Sequence, residues 1–159
     1  MIKQLLYFIT LLGFISLSAC DTSNRIYEQN IDIESNNWRI NDAKEFRFQI
    51  TDTTKSYQVY FNIRNALFYE YYNLYVNATL LDPDGQKLHN KLHEMYLMDK
   101  KTGEPLGKGA GDLFDHSALA IKNLHFKKPG TYTLKLTQYM RKNPLPGIMA
   151  VGIKVVVAE

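Results

Sequence analysis

The chain has 159 residues, 45% of them apolar, 13% aromatic and 22% charged, with a formal net charge of +3. This is the composition of one globular domain, which excludes long disorder and collagen-like repeats, and the charge is too small and too evenly spread to indicate nucleic-acid binding. The one cysteine, Cys20, excludes both an internal disulfide framework and a cysteine-based zinc cluster.

The first element in chain order is a leader. Lys3 supplies a basic start, and Leu5 to Leu17 run without a charge. That length fits the apolar region of a signal peptide, roughly 7–15 residues, and falls short of the about 20 residues that span a bilayer. Leu17-Ser18-Ala19-Cys20 closes the run as a lipoprotein cleavage signal. Small side chains before the cysteine give a peptidase access to the backbone, and the thiol is the atom that takes the diacylglycerol. The spacing therefore predicts that residues 1–19 are a cleaved lipoprotein signal peptide, Cys20 is the lipid attachment site, and residues 20–24 are a polar tether. More than one buried acyl chain would anchor the protein stably. Asp21 is the residue type that retains lipoproteins in the inner membrane of some enteric bacteria, a rule that does not carry over to every phylum, and no acidic run follows it to mark surface export. A periplasm-facing domain is expected, on the outer membrane more than the inner.

Residues 25–159 read as one all-β domain. Period-2 alternation places Phe46, Phe48 and Ile50 on one face, then Tyr57, Val59, Phe61 and Ile63, then Leu74, Val76, Ala78 and Leu80. It recurs at Tyr132, Leu134 and Leu136, and at Met149, Val151, Ile153, Val155 and Val157, with Gly152 and Lys154 opposite. Weaker strand patterns cover Arg25–Ile31, Gln86–Met98 and Leu119–Phe126, while Asp112 to Leu119 reads as a short helical turn. Turn chemistry punctuates the pattern at Asp82-Pro83-Asp84-Gly85 and Lys128-Pro129-Gly130. Strands with one apolar face must cover it, so an antiparallel β-sandwich of jelly-roll or Ig-like type, with about seven or eight strands, is the expected architecture.

The chemistry is sparse. His89 and His93 sit in a strand pattern and read as exposed strand histidines, since residues four apart in a strand are too distant to share a metal. Gly103, Gly107, Gly109 and Gly111 lack the ending and the helix of a phosphate loop and read as an irregular loop needing positive φ. No nucleophile elbow is present, and no cofactor or metal is implied. Phe68-Tyr69-Glu70-Tyr71-Tyr72 lies between two strands, and its successive rings cannot all face one core. Phe68, Tyr69, Tyr71 and Tyr72 are therefore candidate partner-binding residues.

Several ordered stretches carry a resemblance. They include Asp52-Thr53-Thr54 before a strand, Asn62-Ile63-Arg64-Asn65 followed by the aromatic stretch and Tyr72-Asn73-Leu74, and Pro83-Asp84-Gly85. Gly103 to Gly109, Pro129-Gly130-Thr131-Tyr132, Gln138-Tyr139-Met140-Arg141 and Val151-Gly152-Ile153 continue the set. From Cys20 onward the chain resembles the GldH-type gliding-motility lipoproteins of the Bacteroidota. The resemblance implies a non-enzymatic envelope lipoprotein, an accessory of the gliding and type IX secretion machinery that acts through protein–protein contacts with other components. It implies no catalytic residue and no small-molecule substrate. Two other classes stand beside it: a carbohydrate-binding β-sandwich stacking sugars on Trp38, Tyr69 and Tyr71, and a hydrolase using Asp112 or Asp115.

Overall fold

The computed structural model describes residues 24–158. The leader, Cys20 and most of the tether lie outside the described residues. The eight long strands are β1 (Arg25–Asp32), β3 (Lys44–Ile50), β4 (Tyr57–Ala66), β5 (Asn73–Leu81), β6 (Lys87–Tyr96), β8 (Leu113–Leu124), β9 (Gly130–Gln138) and β11 (Ile148–Val157). Three short pieces complete the set: β2 (Asn37–Trp38), β7 (Lys108–Ala110) and β10 (Leu145–Pro146). A 3-10 turn occupies Glu34–Asn36.

Every strand pair is antiparallel. One sheet has the order β1-β11-β4-β8-β7, a second the order β3-β9-β5-β6, and β10 pairs with β2. Both large sheets turn their apolar faces into one core. Val151, Ile153 and Val155 of β11 and Val59, Phe61 and Ile63 of β4 line it from one side. Phe46 and Phe48 of β3, Leu134 and Leu136 of β9, and Val76, Ala78 and Leu80 of β5 line it from the other. Alternation drives this directly, because a one-residue slip would turn each apolar row outward.

The two ends are closed differently. At one end Phe126 packs against Tyr132 with ring centroids 4.4 Å apart and edge-on against Tyr57 at 5.2 Å. The Tyr132 hydroxyl donates to the Lys128 carbonyl at 2.8 Å, which satisfies its polar tip. At the other end the β2–β10 pair seats Trp38, fully buried, with its indole N–H donating to the Asp42 carbonyl at 2.8 Å. The chain termini of the domain are also stitched together, since the Val157 N–H donates to the Asn24 carbonyl at 2.8 Å.

Three expectations are corrected. Asp112 to Leu119 is not a helical turn, because Leu113–Leu124 forms the long strand β8. The alternation there is hidden by a shift of register against β4 around Val59 and Tyr60, which breaks the period-2 signal near Leu119 and Ile121. The glycine loop is partly strand: Gly103 and Gly111 do take positive φ (73° and 63°), but Gly109 lies in β7. The histidines of β6 are not exposed. His89 and His93 point to the inner side with Met95, and the His93 ring meets Phe61 edge-on at 5.1 Å. Neither His89 Nε2 nor His93 Nε2 has a hydrogen-bond partner.

His116 of β8 is buried as well, with Nε2 2.7 Å from Asn65 Oδ1. Burial pushes the pKa of His116 down, with Asp115 opposing. Burial also lowers that of His93, with His89 and Lys91 adding to the effect.

Two predictions rest on this packing. Ile153→Ala should destabilise by about 2–5 kcal/mol, whereas Lys154→Ala, on the outer face over the Tyr60 ring, should cost no more than about 1 kcal/mol; chemical denaturation of the two variants measures the difference. The histidines set the second. Their folded pKa values lie below the unfolded value of about 6.5, so the unfolded chain binds protons first as the pH falls. Stability is then complete above that value and is lost as the pH drops through it. Thermal melting should be lower at pH 5.5 than at pH 7.5, and His93→Gln should flatten the difference.

Candidate functional site

The loop between β4 and β5 divides its rings between core and solvent. A tight turn, with the Tyr69 N–H donating to the Ala66 carbonyl at 3.0 Å, tips Tyr69 inward. Its ring is 3% exposed, its hydroxyl donates to the Asn73 carbonyl at 2.9 Å, and burial pushes its pKa up. Tyr71 is half-buried and packs edge-on against Tyr69 at 5.7 Å. Phe68 and Tyr72 take the other side, 64% and 37% exposed. Two of the four rings singled out in the sequence therefore reach the surface, and Tyr69 serves the core.

The surface around Tyr72 is larger than the loop. Cross-strand register brings Asn73 opposite Tyr96 and Tyr75 opposite Glu94. Tyr96, 56% exposed, stacks on Tyr72 with centroids 6.1 Å apart and planes 11° from parallel. Lys100 Nζ lies 5.4 Å over the Tyr72 ring. Leu92 and Leu88 extend the exposed apolar row along β6, and Tyr139, also exposed, sits beside β5 with its N–H donating to the Tyr75 carbonyl at 2.8 Å. Tyr96 and Leu92 carried a sequence signal, an apolar residue at every fourth position of β6 opposite the histidines. The signal became readable only once the register set those positions beside Tyr72.

Glu94 organises the polar centre of this patch. Asn73 Nδ2 donates to it at 2.6 Å and the Tyr96 hydroxyl at 3.3 Å. These donors, Asn73 foremost, hold its carboxyl below the usual range, and the carboxylate in turn raises the pKa of Tyr96. At neutral pH the patch is thus a fixed carboxylate framed by neutral tyrosines. Rigid aromatic rings with polar tips, exposed together, are the composition of an interface centre.

The other sequence-level sites resolve as follows. Trp38 and Tyr69 are buried, so they offer no sugar platform, and Tyr71 offers only part of a ring. Asp115 is held by Arg64 in a two-point contact of 2.8 and 3.0 Å, a structural pairing on the outer face. Among the described residues no group of three or more His, Cys, Asp or Glu side chains is gathered as metal ligands. Among the same residues no helix is long and apolar enough to cross a membrane.

Comparison with known proteins bears on the whole domain. The family model described as GldH lipoprotein matches residues 25–155. The chain is 32% identical over 155 residues to the gliding motility lipoprotein GldH homolog of Christiangramia forsetii, covering 93% of each protein. It is 27% identical over 143 residues to the gliding motility lipoprotein GldH of Flavobacterium johnsoniae, covering 89% of this chain and 86% of that one. Among solved structures, the infectious bursal disease virus VP2 subviral particle is similar at a TM-score of 0.39 and 13% identity, with 84% of this chain covering 30% of that chain.

Proposed function

The chain belongs to the GldH lipoprotein family, and from that premise we propose that it is a non-enzymatic cell-envelope lipoprotein that serves the gliding motility and type IX secretion machinery by binding other components. The observation that carries the binding role is the exposed tyrosine patch, in which Tyr72 and Tyr96 stack in solvent. Large exposed rings cost free energy in water and are kept where a partner covers them. Cys20 holds the protein to the membrane through its lipid, and the domain faces the periplasm, with the outer membrane favoured.

Lipid attachment is tested at its one atom. Cys20→Ala should leave the precursor uncleaved and free of acyl chains, so metabolic palmitate labelling should fall to background. Labelling equal to wild type would remove the anchor from Cys20.

The docking role is tested by separating fold from function. Tyr72→Ala with Tyr96→Ala should keep the melting temperature within a few degrees of wild type, because both rings are exposed. The pair should nevertheless abolish gliding or type IX secretion when it replaces the native protein, since loss of an interface hot spot costs about 2 kcal/mol or more. Tyr69→Ala should instead lose fold and function together, at about 3–5 kcal/mol for a buried ring. Full activity of the Tyr72 and Tyr96 double variant at normal protein levels would place the partner elsewhere.

A further inference from the structure

A second surface runs across the outer face of the other sheet and meets the tyrosine patch at one rim, where Tyr96 lines both. The outer face of the β1-β11-β4-β8-β7 sheet carries a groove of about 710 Å³, within the range of about 300–1,000 Å³ usual for ligand sites. Its floor is β11 at Ala150 and Gly152, where side chains are small or absent. The register sets three rows across it. Asn30, Gly152, Asn62 and Ser117 stand side by side on four strands. One row away stand Asp32, Ala150, Arg64 and Asp115, and on the other side Glu28, Lys154 and Tyr60.

The middle row is a preorganised ladder. Ser117 Oγ donates to Asn62 Oδ1 at 2.8 Å, and Asn62 Nδ2 donates to Glu28 Oε1 at 3.1 Å and Asn30 Oδ1 at 3.3 Å. A side chain at position 152 would forbid it: a Cβ there would lie 1.9 Å from Asn30 Oδ1. The ladder fixes these groups without exhausting them. Among the described residues no hydrogen bond engages Asn30 Nδ2 or the Asp32 carboxylate.

The lining chooses the ligand class. Three carboxylates (Glu28, Asp32, Asp115) are balanced by three cations (Arg64, Lys108, Lys154), so neither a polyanion nor a polycation finds charge complementarity. The large apolar groups, Leu106, Met95 and Tyr96, stand together at one rim, while the floor along Ala150 and Gly152 is flat and flanked by polar rows, without the enclosed pocket that anchors a side chain at a protein hot spot. What the groove offers is a dense alternation of fixed donors and acceptors, with one exposed aromatic ring, Tyr96, among its lining. Vicinal hydroxyl groups, each both donor and acceptor, match that alternation, and the flat apolar face of a sugar ring matches an aromatic rim. We propose that this groove binds a neutral glycan strand, with Asn30, Asn62, Arg64 and Ser117 as the hydrogen-bonding residues.

The full lipoprotein in detergent is titrated with neutral tetrasaccharides of glucose, mannose or N-acetylglucosamine, with polygalacturonate and a pool of random peptides as controls. At least one neutral series should bind, and Asn62→Ala should weaken it about tenfold or more at an unchanged melting temperature. Ser117→Ala, at an exposed position, should weaken it in the same direction and decides the matter if Asn62→Ala fails to fold. Phe68→Ala, an exposed ring of the aromatic loop outside the groove lining, should leave glycan binding intact, which separates this site from the aromatic loop. Absence of binding to every neutral series at millimolar concentration, binding equal in the Asn62 and Ser117 variants, or binding of only the polyanion or the peptides would overturn the proposal.

Discussion

The ladder that joins β11 to both β1 and β4 is the constraint on which the rest depends. β11 runs from Ile148 to Val157 and is hydrogen-bonded along both edges. Inward it contributes Val151, Ile153 and Val155, all fully buried, and these rows make the hydrophobic contact with the second sheet. Outward it contributes Ala150 and Gly152, which leave room for the polar groups of its neighbours to meet across it. One strand therefore sets both the closure of the core and the shape of the outer surface. Its register is doubly determined, since a slip would bury Lys154 and expose the aliphatic row.

The two outer faces that this arrangement creates differ in physical character. On the five-stranded sheet, charges are balanced and hydrogen-bonded in a lattice, and large apolar rings are scarce. On the four-stranded sheet, tyrosines and leucines of β5, β6 and the preceding loop stand in solvent around one carboxylate. The exposed ion pairs on either face contribute little to stability. Lys91 on the inner side of the edge strand β6 also discourages open-ended pairing with another sheet. Each face is thus free to recognise something without holding the fold together, and the core under them carries the stability.

Much of the fold could be read in the sequence because alternation was uninterrupted. β3, β4, β5, β9 and β11 each present an unbroken apolar row, and the turns between them carry Pro and Gly where φ must be set. The second half of β8 was legible in the strand pattern from Leu119, but its first half was not, because the register shift near Leu119 moves Ile121 into the core out of phase with His116. β7 was obscured by glycines that spoke for a loop. The histidines were misjudged for a different reason: β6 is amphipathic with leucines outward and histidines inward, the reverse of the usual hydropathy rule. That reversal places an imidazole against Phe61 and frees Leu92 and Tyr96 for the surface. The site was half legible. The rings of the loop announced a surplus over what one core can hold, but which of them stayed outside depended on the turn that buries Tyr69. The groove had no local signature at all, because its ladder is built from residues as far apart in sequence as Asn30, Asn62 and Ser117.

The bond from the Val157 N–H to the Asn24 carbonyl has a mechanical meaning. It fixes the start of β1 beside the end of β11 and opposite Tyr57, at the far end of the strands from Ala66 and the aromatic loop. If Cys20 is acylated as proposed, the five residues from Cys20 to Asn24, four Cα steps, span at most about 14 Å, so the domain would stand on the bilayer with that loop directed away from it. With that anchor and a partner on the loop, a pull between the two would run along the strands. The hydrogen bonds of antiparallel ladders lie across that direction, so β1, β11 and β4 are loaded in shear and share the force over their whole length. Under the proposed anchor and partner, the domain would be gripped along its strongest axis.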